Sequence, residues 1–223
     1  MNRRWGQSYS KPDGFIAEPG SNEFQHRFGG TSWQVEDSDH ACGGPALLLT
    51  LDLHDPNLAP IAVEGIMELP LCSYINGSPW SSRQVYQIVP QDRRVFLVER
   101  KDTDPECDSE DGIPNPLPEH QLRLRPMSTS EYPTDYDTYM DAFDNFAGGG
   151  AFIRILGTPL VTDVMTAVCT CGRTMQYVAS IGCQSPMADH GLMADEPFFI
   201  GEGYLYFFLC QSCLKFQVDS QGS

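Results

Sequence analysis

Positive charge is what this chain has least of. Across 223 residues, 14 Lys and Arg face 30 Asp and Glu, a net charge of −16. Direct binding to nucleic acid or to anionic lipid needs positive surface, so this balance argues against both. It favours a basic partner, or simple solubility. Long apolar runs are also missing: no segment reaches the ~18 residues of a membrane span. The opening "MNRRWGQSYSKPDG" carries Arg3 and Arg4, but no apolar core follows them. The expectation is therefore a soluble, cytoplasmic protein without a cleavable export signal.

Catalytic signatures are absent too. The chain has no H-E-x-x-H, no phosphate-binding G-x-x-x-x-G-K-[ST] and no G-x-S-x-G. Its histidines, His26, His40, His54, His120 and His190, are scattered, with no linked Ser or Cys. The expectation is that the protein is not an enzyme. Groups distant in sequence can still meet in space, so an uncharacterised enzyme stays as the last alternative.

What the chain does have is cysteine in close pairs. Four of its eight cysteines form two close pairs, Cys169 and Cys171 in "AVCTCGRTMQYVASIGCQ" and Cys210 and Cys213 in "GYLYFFLCQSCLKF". A zinc ribbon takes two soft ligands from each of two tight turns, and a short spacing lets both thiolates of a turn face one ion. Cys210 and Cys213 have that spacing; Cys169 and Cys171 are one residue closer, with Gly172 as the turn residue. Cysteines this near in sequence rarely form an internal disulfide without strain. Structural zinc on Cys169, Cys171, Cys210 and Cys213 is the leading expectation. Redox chemistry, cross-pair disulfides and buried free thiols stay open. In the first half, His40, Cys42 and Cys72 take corresponding places, but Ile75 stands where Cys213 would be. A second site would need another ligand, such as His54; the expectation is a decayed site filled by packing.

Short runs rich in β-branched and aromatic residues predict strands over 46–53, 61–67, 84–89, 94–100, 151–156, 175–181, 204–209 and 214–218. One helix is predicted in "SEYPTDYDTYMDAFDNFAGGG", with Tyr136, Tyr139, Met140, Phe143 and Phe146 on one face and glycines ending it. The fold class is β-rich α+β. Residues 1–22 are expected as a polar arm, 23–100 as a first, degenerate half, 101–130 as an acidic, proline-rich linker, and 131–223 as a second half carrying the knuckles. The segment "DTDPECDSEDGI" is no EF-hand: Cys107 stands where Gly is needed and Ile113 where Glu is needed. "CGGPALLLTLDL" and "CGRTMQYVASIG" share a Cys-Gly start, a preceding glycine cluster and a following strand. That parallel points to duplicated halves forming one compact unit.

Acidic residues concentrate in the middle: from Glu99 to Asp144 there are thirteen against four basic ones. Asp102, Asp104, Glu106, Asp108, Glu110, Asp111, Asp137, Asp141 and Asp144 are the expected partner surface.

The glycine cluster, the knuckle ending Cys-Gly, "MQYVASI" and "GYLYFFLCQSC" together resemble the YwqG-like bacterial family. That resemblance implies a duplicated β-rich fold with a zinc-ribbon-like element and no assigned enzyme activity. It extends to the eukaryotic programmed-cell-death-protein family, which implies a chaperone for a basic client. It also implies an immunity protein, an antitoxin of the kind found beside polymorphic or type VI secretion toxins in the bacterial cytoplasm. The partner would be a basic toxin, with a nuclease effector as the leading candidate.

Overall fold

The computed structural model describes residues 14–37, 43–76, 83–101, 113–128, 131–132, 136–148, 152–160, 166–184, 192–193, 198, 200 and 203–222. Twelve strands make one sheet: β1 (Gly14–Pro19), β2 (His26–Phe28), β3 (Gln34–Glu36), β4 (Ala46–Asp52), β5 (Glu68–Ser73), β6 (Arg83–Val89), β7 (Arg94–Lys101), β8 (His120–Pro126), β9 (Ile153–Leu156), β10 (Gln176–Ile181), β11 (Gly203–Cys210) and β12 (Lys215–Gly222). Their order is β3-β7-β6-β12-β11-β10-β9-β1-β8-β2-β4-β5. Among the described residues, only β3 and β7 pair in parallel. Outward from the β1–β8 pair, one side runs β9, β10, β11, β12, β6, β7, β3 and the other β2, β4, β5.

The sheet curls until its ends nearly meet, and side chains close the seam. Gln84 on β6 accepts from the Tyr74 N–H (3.1 Å) and the Ser73 hydroxyl (3.2 Å) beyond and at the end of β5. Trp33, next to β3, donates its indole N–H to Glu68 on β5 at 3.0 Å. β4, β5 and β11 are buried almost throughout, which is why β4 and β11 read as nearly continuous apolar runs rather than alternating ones. Part of the β10–β11 connection enters the main core: Leu192, Met193, Phe198 and Ile200 pack with the strands' side chains. Gly29 is tied to this geometry. Its φ is +66°, and a Cβ there would meet the Pro118 carbonyl oxygen at 2.3 Å.

The expected strands 46–53, 84–89, 94–100, 151–156, 175–181, 204–209 and 214–218 are found within a few residues of their predicted ends. The expected strand over 61–67 is not: a 3-10 turn occupies Pro56–Ile61, and the strand starts at Glu68. Pro56 and Pro60 hold that turn, and Asp55 caps it by accepting the Asn57 N–H. Of the expected arm, residues 1–13 lie outside the described residues, and Gly14–Pro19 is β1, paired on both sides. Of the expected linker, 102–112 lie outside them, and His120–Pro126 is β8, paired with β1 and β2. Strands of the two expected halves therefore interleave in one sheet.

The predicted helix is present as α1 (Tyr136–Gly148). Its buried face is narrower than expected: Tyr139, Ala142 and Phe146 are buried, Phe143 is half-buried, and Met140 is exposed. It packs with Tyr204, Tyr206, Tyr177 and Phe208 in a second apolar cluster, which also takes in Cys169 and Cys210.

Just before α1, Glu131 gathers four donors: both Arg125 terminal nitrogens (2.8 and 2.7 Å), the Ser128 N–H (2.7 Å) and the Ser128 hydroxyl (2.8 Å). Arg125 chiefly, and Ser128, hold its carboxyl down at about 2 against the opposing pull of burial, from an ordinary 4.5. A depressed carboxyl stabilises the fold fully above its ordinary pKa, and that contribution is lost as pH falls towards 2. Glu131→Gln is expected to lower stability by about 1.5–3 kcal/mol at pH 7. It is also expected to flatten the acid limb between pH 4.5 and 2. Urea titrations at stepped pH read both; parallel limbs in the two proteins would refute the assignment.

Candidate metal centre

Two knuckles converge at one end of β10, β11 and β12. In the first, Val168 and Thr174 bridge antiparallel, so the chain doubles back around Cys169 and Cys171. The turn closes through Gly172 N–H to the Cys169 carbonyl (2.8 Å) and Cys169 N–H to the Arg173 carbonyl (2.9 Å). Gly172 has φ +83°, the left-handed conformation this tight reversal requires. The second knuckle is the β11–β12 turn itself. Cys210 ends β11, and the Cys213 N–H donates to the Cys210 carbonyl at 3.2 Å. Gln87 on β6 fixes it from the side, donating its amide to the Cys213 carbonyl at 2.9 Å.

The four sulfurs lie within 4.8 Å of one another. Cys171 Sγ and Cys210 Sγ are 3.7 Å apart. A tetrahedral ion with sulfur at ~2.3 Å has sulfur–sulfur edges of ~3.8 Å, and a disulfide needs ~2.05 Å. The spacing is that of four ligands around one ion. Cys169 and Cys210 are buried, Cys213 is half-buried and Cys171 is exposed. The four residues the sequence singled out are thus brought together, the C-x-C spacing included, and could hold a metal ion.

Charge around the tetrad fits that use. Burial works against ionising Cys169, but the Cys171 N–H and the three neighbouring thiols outweigh it and hold the Cys169 thiol down at about 7. Contact with Cys171 pushes Cys213 up to about 12, and burial raises Cys210. Near neutral pH the bare cluster gives up protons unevenly, so ion uptake must release the rest, and affinity rises with pH. A divalent ion with four thiolates carries a net charge of −2. Two cations lie beside it: Arg173 donates to the Ser212 hydroxyl, and Lys215 Nζ to the Thr170 hydroxyl at 3.3 Å. Each contact links one knuckle to the other. Both residues were missed as site residues, although "CGR" and "CLK" place a cation beside each knuckle.

The second set of expected ligands does not assemble among the described residues. His40 and Cys42 lie outside them. Cys72 is fully buried in the main core, and that burial pushes its thiol well above the ordinary range. His54 Nδ1–H donates to Asp52 at 2.7 Å. Cys169, Cys171, Cys210 and Cys213 are the one group of three or more metal-capable side chains among the described residues.

The expected acidic partner residues are only partly visible. Asp102, Asp104, Glu106, Asp108, Glu110 and Asp111 lie outside the described residues. Asp137 and Asp144 belong to α1, and Asp141 is exposed on it.

A cleft of about 510 Å³ contains Asp52, His54, Glu68 and Arg93 beside Trp33 and Met67. The Asp52–His54 pair has the form of a base with its orienting carboxylate. Among the described residues, no Ser, Thr or Cys lines the cleft. Glu68 is already engaged by Arg27, Arg93 and Trp33. No helix among the described residues is long and apolar enough to cross a membrane.

Comparison with protein-family models, with curated proteins and with solved structures finds no match for this chain, so the YwqG-like resemblance rests on its quoted motifs alone.

Proposed function

We propose that the protein is a stoichiometric inhibitor of a basic toxin, an immunity protein of the bacterial cytoplasm, with zinc as the ion of the cysteine tetrad. The observation that carries this reading is the net charge of −16, with thirteen of the acidic residues between Glu99 and Asp144. A nuclease toxin needs a positive groove, because phosphate contacts supply much of its affinity. An acidic inhibitor occupying that groove gains encounter rate from opposite fields. Four thiolates fill a tetrahedral ion's coordination shell, so zinc here is structural, with no open position for water. The runner-up, a chaperone for another basic client, shares the same charge argument. We read the run β9, β10, β11, β12 on one side of β1 and β8, and β2, β4, β5 on the other, as the trace of a duplication, with β6, β7 and β3 lying beyond it.

The test is capture of the partner from the native host, with 1:1 binding then measured on purified components. The expected partner carries an excess of Lys and Arg, and its toxicity is silenced by the complex. Its association rate should fall about tenfold or more between low and high salt, with dissociation changing less. Changing Asp137, Asp141 and Asp144 together to Lys should slow association while the melting temperature holds. A salt-independent association rate would remove electrostatic steering, and a client that is no toxin would favour the chaperone.

A further inference from the structure

Arg154 sits on β9, opposite Ile16 of β1 and Ser180 of β10, and is 1% exposed. Its Nη2 donates to the Glu131 carbonyl at 2.6 Å and lies 3.1 Å from the Met127 sulfur. Its Nε and Nη1 have no hydrogen-bond partner among the described residues. Those two nitrogens carry three N–H donors, and a guanidinium does not shed its charge in a protein. A buried charge lacking a counter-charge and hydrogen bonds is strongly unfavourable.

Among the described residues, the carboxylates near it are engaged by other cations. Glu131 gives both carboxylate oxygens to Arg125. Glu18, on β1, is held by Arg123 and Arg125. Among the described residues, three guanidiniums thus share two carboxylates in this part of the sheet. The nearby tyrosines are committed as donors elsewhere: Tyr177 to the Ser180 hydroxyl (2.8 Å) and Tyr206 to the Leu160 carbonyl (2.6 Å).

We propose that Arg154 anchors a compact oxyanion of the phosphate type beside β9. The anion takes the unused N–H donors and supplies the counter-charge. It is either the free ion or the phosphoryl end of a larger molecule. This site is independent of the cysteine tetrad and of the toxin-inhibitor reading.

The test uses the full chain with its metal content intact, in chloride buffers of fixed ionic strength. Inorganic phosphate and phenyl phosphate are titrated separately against the thermal melt. Wild type should gain about 4–8 °C at saturation with at least one of them. A gain with inorganic phosphate assigns the free ion, and a gain with phenyl phosphate alone assigns the end group. Arg154→Met should melt no lower than wild type in chloride and gain nothing from either compound, so the order of the two proteins reverses when phosphate is added. Arg154→Lys keeps the charge without the planar fork, and should need at least tenfold more phosphate for the same gain. A wild type insensitive to both compounds overturns the proposal. So does an Arg154→Met protein that gains as much as wild type, or one that fails to fold in chloride alone.

Discussion

Removing the ion, or one of its ligands, should collapse the region around α1 while the other end of the sheet still holds. Cys210→Ser and exhaustive chelation are expected to give the same result: partial loss of the tyrosine near-UV signal, since Tyr86 stays in the main core, and a melting temperature lower by about 10 °C or more. Structural zinc sites in small peptides bind with about 10–16 kcal/mol of apparent free energy. A native domain has only about 5–15 kcal/mol in total. Even a fraction of that binding energy is therefore decisive. The order of events follows from where the chromophores sit. Tyr139, Tyr177, Tyr204 and Tyr206 pack in the same cluster as Cys169 and Cys210. Trp33 belongs to the main core. Tyrosine dichroism should fail at a lower temperature than tryptophan fluorescence in the stripped protein, and together with it in the loaded one. Elemental analysis should find one zinc per chain; less than a tenth of an equivalent in gently purified protein would defeat the assignment.

Phe198→Ala should destabilise the protein by about 3–5 kcal/mol, the usual cost of emptying a large buried aromatic site. Phe198 is fully buried, edge-on to Phe28 at 5.4 Å between ring centroids and stacked on Phe152 at 6.4 Å. Its backbone is fixed as well. The Phe198 carbonyl accepts from the Gln184 N–H at 2.8 Å, and its own N–H reaches the Gln184 side-chain oxygen at 3.3 Å. Gln184 is itself buried. Fixed main chain limits how far the site can collapse, which puts the cost towards the upper end of the range. Phe198→Leu, which refills most of the volume, should recover more than half of the loss in urea titrations. Equal losses for Ala and Leu would show that ring contacts, and not filled volume, hold this segment.

The cysteine tetrad was legible because its information is local. Each pair of ligands is fixed by a turn of two to four residues, and strands known to be apolar bring the turns together. The strands β4, β10 and β11 were legible for the related reason that burial on both faces leaves an apolar run, and β6, β7 and β12 because β-branched and aromatic residues recur in them. Other strands hid behind breakers and charge. β1 ends at Pro19, β5 carries Pro70 within it, and β8 reads His-Gln-Leu-Arg-Leu-Arg-Pro, with its arginines engaged by Glu18 and Glu131. Those arginines are tolerable in a strand only because of acidic partners elsewhere in the chain. Arg154 is the sharpest case. Nothing in "AFIRIL" tells a buried arginine from an exposed one, because its burial depends on distant parts of the chain, among them Met127 and Glu131, which it contacts. The helix face was misjudged at Met140 for a similar reason: periodicity marks an apolar stripe, while the sheet beneath decides how wide a stripe it covers.

The placement of β1 sets a clock on synthesis. Ile16 pairs with Arg125 on one side and with Arg154 on the other. The first strand to leave the ribosome therefore waits for about 140 more residues before both its edges are occupied. At ~5–20 residues per second that delay is roughly 7–28 s. Throughout it, a strand carrying Phe15, Ile16 and Ala17 has open edges, and open edges pair indiscriminately. Pro19 at its end and Pro12 just ahead of it leave only a short stretch for such pairing. A nascent chain arrested before residue 153 should thus aggregate through β1 less readily than its open edges alone would suggest.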